Sequence, residues 1–198
     1  TYTNQKDGHV NRIAFSPDGK TVATSADDGT ARIWDPQTGR DTMIFKQEDG
    51  VTGLAFSPDG NYLVTCSFDG SLRLWEVTTG KAIRQFTGHP GGAFGAAFSP
   101  DGNYILTSGI DATVRLWDIQ TGNEIRRFTG HMAEIRDVSF SPDGKYILTA
   151  SNDGIAQLWL ADLDETIHAV CALLTRDLTP EEREQFGISN QSSTCPAQ

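Results

Sequence analysis

Little in this sequence serves metal, redox or nucleophile chemistry. Its 198 residues include three cysteines and four histidines. No two cysteines stand at C-x₂-C spacing and no histidines are paired, so a zinc site is not expected. An odd cysteine count without secretory context fits reduced thiols and a cytoplasmic protein. Cys66 reads as a small core residue, and a Cys171–Cys195 disulfide stays open. Basic residues are also scarce: 16 Lys and Arg stand against 26 Asp and Glu, a formal charge of −10. A nucleic-acid partner needs clustered cations to neutralise phosphates, so none is expected, nor is an anionic membrane surface. No apolar run approaches the ~18 residues of a membrane span. There is no phosphate-cradling glycine loop. The acidic cluster Asp162, Asp164 and Glu165 lacks the glycine of a calcium loop and reads as a solvated helix start. No cofactor or metal is therefore expected. The first residue is threonine, and no signal peptide is expected.

What the sequence does contain is repetition. FSPDG occurs at Phe15–Gly19, Phe56–Gly60, Phe98–Gly102 and Phe140–Gly144, in steps of 41, 42 and 42 residues. A tryptophan follows each at a constant distance: Trp34, Trp75, Trp117 and Trp159. A period of ~40–45 residues is that of four-stranded propeller blades. The local chemistry agrees. Ile135–Phe140 alternates apolar and polar residues, as a half-buried strand does. Ser-Pro-Asp-Gly turns the chain, because proline presets φ and glycine accepts φ > 0. Lys145–Ser151 reads as a second, doubly buried strand. Asn152-Asp153-Gly154 makes a hairpin, and Ile155–Trp159 returns. In the first three units Thr-Gly and a fourth strand such as Glu124–Phe128 follow. One such sheet cannot bury both faces alone, so neighbouring units must stack. The chain begins almost inside the first unit and is expected to be a piece of a longer protein or a trimmed form.

The GH…FSPDG…S-N-D-G…LW pattern, with the pairs Trp34-Asp35 and Trp117-Asp118, resembles the WD-repeat β-propeller family over roughly residues 2–160. The expected fold is all-β: four WD repeats forming propeller blades at about 2–46, 47–87, 88–129 and 130–160, with a short C-terminal α-helical appendage. The resemblance implies that a His–Ser/Thr–Asp–Trp hydrogen-bond chain braces each blade. Unit four carries it as His131, Ser151, Asp153 and Trp159. Unit three has His89, Asp111 and Trp117, with Gly109 in place of the hydroxyl. Unit two keeps Ser67, Asp69 and Trp75, with Gln47 for the histidine. Unit one keeps Asp28 and Trp34, with Lys6 and Ala26 elsewhere. Gly8-His9 stands three residues too close to Phe15 and reads as a false match. Rigidity is thus expected to rise from the first blade to the last. A buried His–hydroxyl–Asp set can imitate a catalytic triad, but one recurring in partial form in every unit reads as satisfaction of buried polar groups. The chain is expected not to be an enzyme.

Unit four stops after three strands. Beyond it, Asp164 is placed to cap a helix, and Ile167, Val170, Cys171, Leu174 and Leu178 form a helical stripe. Thr179-Pro180-Glu181-Glu182 is a capping box with proline at the first helical position, and Gly187 is a stop. A helical segment is expected within 161–187, docked through Ile167, Val170 and Leu174, with a flexible tail at 188–198. This tail also resembles the ends of propellers attached to bacterial signalling proteins, which implies a sensing role as an alternative.

Four units at ordinary WD angles make an arc. Two bare end sheets of about 400 Å² would each cost about 10 kcal/mol. A second copy closing an eight-bladed ring, further blades of a longer chain, or the C-terminal helices at one end are expected to cover them. The implied function is a non-catalytic scaffold presenting a rigid top face to a protein or peptide. The resemblance places partner contacts at Asp27, Phe68, Ile110 and Asn152, before the turn aspartates, and at Asn11, Thr52, Phe94 and Arg136, in the first strands. A third set is His9, Gly50, Gly92 and Glu134. Phe68, Phe94 and Ile110, with Arg136 beside them, read as a hot spot.

Overall fold

The structure, a computed structural model, describes residues 8–161 and 179–185. The first blade is a four-stranded meander of β1 (Val10–Phe15), β2 (Val22–Ala26), β3 (Thr30–Trp34) and β4 (Asp41–Lys46). The second comprises β5 (Val51–Phe56), β6 (Tyr62–Ser67), β7 (Ser71–Glu76) and β8 (Ala82–Thr87). The third comprises β9 (Ala93–Phe98), β10 (Tyr104–Gly109), β11 (Thr113–Asp118) and β12 (Glu124–Thr129). Blade four has β13 (Ile135–Phe140), β14 (Tyr146–Ser151) and β15 (Ala156–Leu160). Every pairing is antiparallel.

The Ser-Pro-Asp-Gly turns show why that tetrapeptide recurs. The Ser16 hydroxyl donates to Asp18 Oδ1 (2.7 Å) and accepts the Thr21 amide (2.9 Å), while Asp18 Oδ1 also accepts the Lys20 amide (3.0 Å). Gly19 closes the turn at φ 70°, which a side chain would resist. Ser57, Ser99 and Ser141 repeat the arrangement.

Between blades lie three apolar layers. Val51, Leu54, Leu63 and Trp75 of blade two pack on Ala23, Ala31, Ile33 and Phe45 of blade one, and the later junctions repeat this. Each outer-strand phenylalanine meets the next blade's tryptophan: Phe45–Trp75 at 5.4 Å, Phe86–Trp117 at 5.6 Å and Phe128–Trp159 at 5.7 Å between ring centroids. Such pairs contribute ~0.5–1.5 kcal/mol beyond burial.

The bracing chain differs from the sequence expectation in one member. The hydroxyl is a threonine at the centre of each second strand, two residues before Ser151, Gly109 and Ser67. Trp34, Trp75, Trp117 and Trp159 donate Nε1–H to Thr24 (2.7 Å), Thr65 (2.8 Å), Thr107 (2.8 Å) and Thr149 (3.1 Å). In blade four His131 Nε2 faces Thr149 Oγ1 at 2.7 Å and Nδ1 faces Asp153 Oδ2 at 2.7 Å. In blade three His89 makes the same pair with Thr107 (2.8 Å) and Asp111 (2.9 Å). Tryptophan can only donate and an ionised aspartate only accept, so Nδ1–H donates to the carboxylate and Nε2 takes the threonine proton. Side chains alternate along a strand. Ser151 and Ser67 share their threonine's face, but they lie two residues nearer the hairpin. The Ser151 hydroxyl donates to Ala133 O (3.0 Å), and Ser67 accepts the Asp69 amide at 3.4 Å. Blade three is therefore complete despite Gly109. In blade two Gln47 reaches Ser71 Oγ (3.3 Å) instead of the threonine, and Asp69 caps Ser71 (2.8 Å). In blade one Asp28 holds Thr30 (2.9 Å).

The capping box forms. Thr179 N–H donates to Glu182 Oε2 (2.8 Å) and Glu182 N–H to Thr179 Oγ1 (3.3 Å), opening α1 (Pro180–Gln185). Lys6, the apolar stripe Ile167–Leu178, its cap Asp164, Gly187, Cys171, Cys195 and the 188–198 tail lie outside the described residues.

Candidate protein-binding rim

The first strand of every blade pairs irregularly with the second at one place. The register slips between Val10 and Arg12, between Val51 and Gly53, opposite Thr107–Gly109 in β9, and between Ile135 and Asp137. The residues inside the slips include Asn11, Thr52, Phe94 and Arg136. A bulge adds one residue to a strand and re-aims its side chain. Repeated four times around the axis, it turns these side chains towards one another. Asn11, Thr52, Phe68, Phe94 and Arg136, with Arg12, line a single cavity of about 200 Å³.

The contacts within it run from blade to blade. Asn11 Nδ2 donates to Val51 O of the next blade (3.0 Å), and the Thr52 hydroxyl donates to Ala93 O. Phe94 has no such donor; instead the Arg136 guanidinium lies over its ring, 4.4 Å from the centroid. Phe68 stands edge-on to Phe94, with centroids 6.2 Å apart. Arg136 also pairs with Glu134 (2.5 Å). Arg12 crosses from blade one to blade four, donating to Arg136 O (2.8 Å) and pairing with Asp137 (3.0 Å). The channel at the axis is thus narrow enough for one arginine side chain to span.

The turn residues are set by a repeated backbone bond. The amides of Asp27, Phe68, Ile110 and Asn152 donate to the carbonyls of His9 (3.1 Å), Gly50 (3.1 Å), Gly92 (3.0 Å) and Glu134 (2.9 Å). This ties each hairpin to the loop before its first strand and fixes the height of the rim.

A family model described as "WD domain, G-beta repeat" matches four times, at residues 1–35, 39–76, 80–118 and 122–159, most of the chain. The chain belongs to the WD-repeat family. Similar stretches occur in curated relatives. A periodic tryptophan protein 2 homolog of Dictyostelium discoideum is 38% identical over 53 residues, 25% of this chain and 6% of that protein. A guanine nucleotide-binding protein subunit beta of Oryza sativa subsp. indica is 38% identical over 42 residues, 21% of this chain and 11% of the relative. The WD repeat-containing protein 38 of Mus musculus is 46% identical over 39 residues, 20% of this chain and 13% of the relative. The matches span only a small part of these relatives' length.

Not every residue expected on the rim of this WD-repeat chain reaches the cavity. Phe68 is 43% exposed, but Phe94 is only 9% exposed, because Arg136 and Phe68 cover it. Phe94 is the floor of the hollow rather than a projecting group. Thr52 lines the cavity but is buried, with its hydroxyl spent on blade three, so it serves the junction between blades. Ile110 is half-exposed beside the loop at Gly91, outside the cavity. Asp27 holds Asn11 Nδ2 (2.6 Å) and His9 (3.2 Å), while Asn152 holds Glu134 (3.0 Å). Both stand outside the cavity lining. Sequence reasoning missed Arg12, and the only signal for it was an arginine one place after a predicted contact position.

Electrostatics in the WD bracing chains follow the geometry. Burial works against the Asp111 charge, but the His89 ring and the Arg115 guanidinium (2.9 Å) overcome it and hold the carboxyl well below the usual range. Burial opposes the Asp153 charge too, and the Met132 amide and the His131 ring bring its pKa to about 2. Burial pushes the Cys66 thiol up to about 12, which leaves it inert. Among the described residues no group of His, Cys, Asp and Glu could hold a metal, and no helix is long and apolar enough to cross a membrane. A larger hollow of about 430 Å³ lies at the opposite ends of blades three and four. Its one arginine, Arg126, is engaged with the carbonyls of Leu160 (3.0 Å) and Ala161 (3.4 Å).

Proposed function

We propose that this WD-repeat chain is a non-catalytic scaffold that binds a protein or peptide at the Phe68–Phe94–Arg136 cavity. WD-repeat proteins generally act as protein-interaction scaffolds, and that is the class reading. The observation that supports this particular site is the fourfold bulge, which converges Asn11, Phe94 and Arg136 on one hollow beside the half-exposed Phe68. The hollow is of a size for one apolar side chain. Its floor is the Phe94 face, and its walls carry two guanidiniums. A partner segment that inserts an aliphatic or aromatic side chain and brings a carboxylate past Arg136 would share or displace Glu134. The charge of −10 favours a protein partner over a nucleic acid.

The test is panning a peptide library on the purified chain, then calorimetry with the selected peptide. Phe68→Ala is expected to weaken binding by more than ~1 kcal/mol, about fivefold or more, with unfolding midpoints nearly unchanged. Arg136→Ala is expected to weaken peptides that carry a carboxylate more than those that lack one. Selected peptides that bind both variants as well as wild type would place the partner face elsewhere. Turnover in a hydrolase and phosphatase screen would point to an enzyme instead.

A further inference from the structure

The chain builds the same layer between blades three times, always from two unlike faces. One blade presents its second and third strands, such as Leu106, Val114 and Leu116. The next presents its first two strands, such as Ile135, Val138 and Ile147. Blade four carries a face of the first kind with nothing on it among the described residues. Leu148 is 48% exposed and Leu158 62%, whereas Leu106 and Leu116, at the same strand positions of blade three, are 0% and 8% exposed. Blade one carries a face of the second kind, equally bare. Ile13 is 73% exposed and Phe15 71%, against 7% for Leu54 and 9% for Phe98 at the matching positions. Apolar side chains that are buried or half-buried in every interior copy of a repeat and exposed only at its two ends mark an unfinished interface. The two ends are its two halves.

We propose that a second copy of this chain covers both faces. Blade four of each copy packs on blade one of the other, continuing the junction already formed within the chain. Unlike faces joined head to tail make either an open filament or a closed ring, and two four-blade arcs related by a twofold axis close one with two identical junctions. Closure asks the arc to open, and what opposes this is the reach of Arg12 to Asp137 and Arg136 O. Those groups are half-exposed to exposed, where an ion pair contributes little and is screened by salt. Leu148, Leu158, Ile13 and Phe15 gain more by leaving water. This inference stands on the ends of the arc; opening parts Asn11 and Arg12 from Arg136 and widens the rim cavity, while the contacts of Phe68 and Arg136 with Phe94 lie between adjacent blades and are kept.

The experiment is the native mass of the full chain by light scattering across a concentration series. A mass of two chains is expected. Leu158→Arg and Ile13→Asp, each alone, are expected to give monomers, with circular dichroism like wild type because both positions are exposed. Mixing the two variants should restore the dimer, since one junction of the mixed pair is wild type and the other joins Arg to Asp. Arg12→Ala is expected to tighten the dimer severalfold. If either face variant loses its fold, Leu148→Lys and Phe15→Glu replace the pair. A wild-type chain that stays monomeric at every concentration overturns the proposal, and the faces then belong to further blades or to another segment of the chain. A dimer that the mixed variants do not restore overturns the head-to-tail arrangement, and a dimer weakened by Arg12→Ala overturns ring closure.

Discussion

Thr107→Val tests the bracing chain where it is most enclosed. The change keeps the shape of the side chain and removes its oxygen. Thr107 is fully buried, as is its neighbour His89, and Trp117 is nearly so. Two bonds disappear together: Trp117 Nε1–H to Thr107 and Thr107 to His89 Nε2, both 2.8 Å. No water can replace the lost partner without opening the blade. A stranded buried donor or acceptor costs ~1–3 kcal/mol, so two predict a loss of about 2–6 kcal/mol. At ~2–4 °C per kcal/mol for a chain of this size, the melting midpoint falls by about 4–24 °C. Urea unfolding followed by tryptophan fluorescence measures this, and hydrogen exchange should place the loss in β9 to β11. Thr107→Ser keeps the oxygen and should recover most of the difference. Ser67→Ala removes a hydroxyl whose bond to the Asp69 amide is long, 3.4 Å, and should cost under ~1 kcal/mol. If Thr107→Val proves as mild as Thr107→Ser, the chain is geometry without energetic consequence.

Gly109→Ser restores the residue type found at the same place in blades two and four, yet it should destabilise blade three. A Cβ at Gly109 would fall on the His89 ring and 2.9 Å from Asp111 Oδ1; a variant that melts at or above wild type would contradict this. Acid unfolding should follow Asp111 and Asp153. Their folded pKa values lie below the ordinary 3.8, about 2 for Asp153, so their contribution is full above about pH 4 and lost as pH falls towards 2. Asp153→Asn should flatten that part of the stability–pH curve, and an unchanged curve would remove the carboxylate from the account.

The repeat, the four blades and the tryptophans were legible because their signals are local. Ser-Pro-Asp-Gly carries its own turn, with its serine bonding its own aspartate. Apolar alternation marks the strands, and the 42-residue step counts the blades. The capping box at Thr179 was legible for the same reason: donor and acceptor are three residues apart. The bracing hydroxyl was misplaced by two residues. Ser151 and Thr149 point to the same face, and only the depth of the ring of His131 between blades decides which of them it meets. The rim was legible in part. Repeat position could bring Asn11, Thr52, Phe94 and Arg136 to the same edge, but it could not tell a floor from a contact. That depended on an inserted residue in each first strand, on Arg136 folding over Phe94, and on Thr52 reaching the carbonyl of a strand 41 residues away. Arg12 reached blade four across 124 residues, and nothing in its own neighbourhood foretold it. Turns and strand patterns are written in neighbours along the chain, whereas a cavity between blades is made of atoms brought together only when the sheets stack.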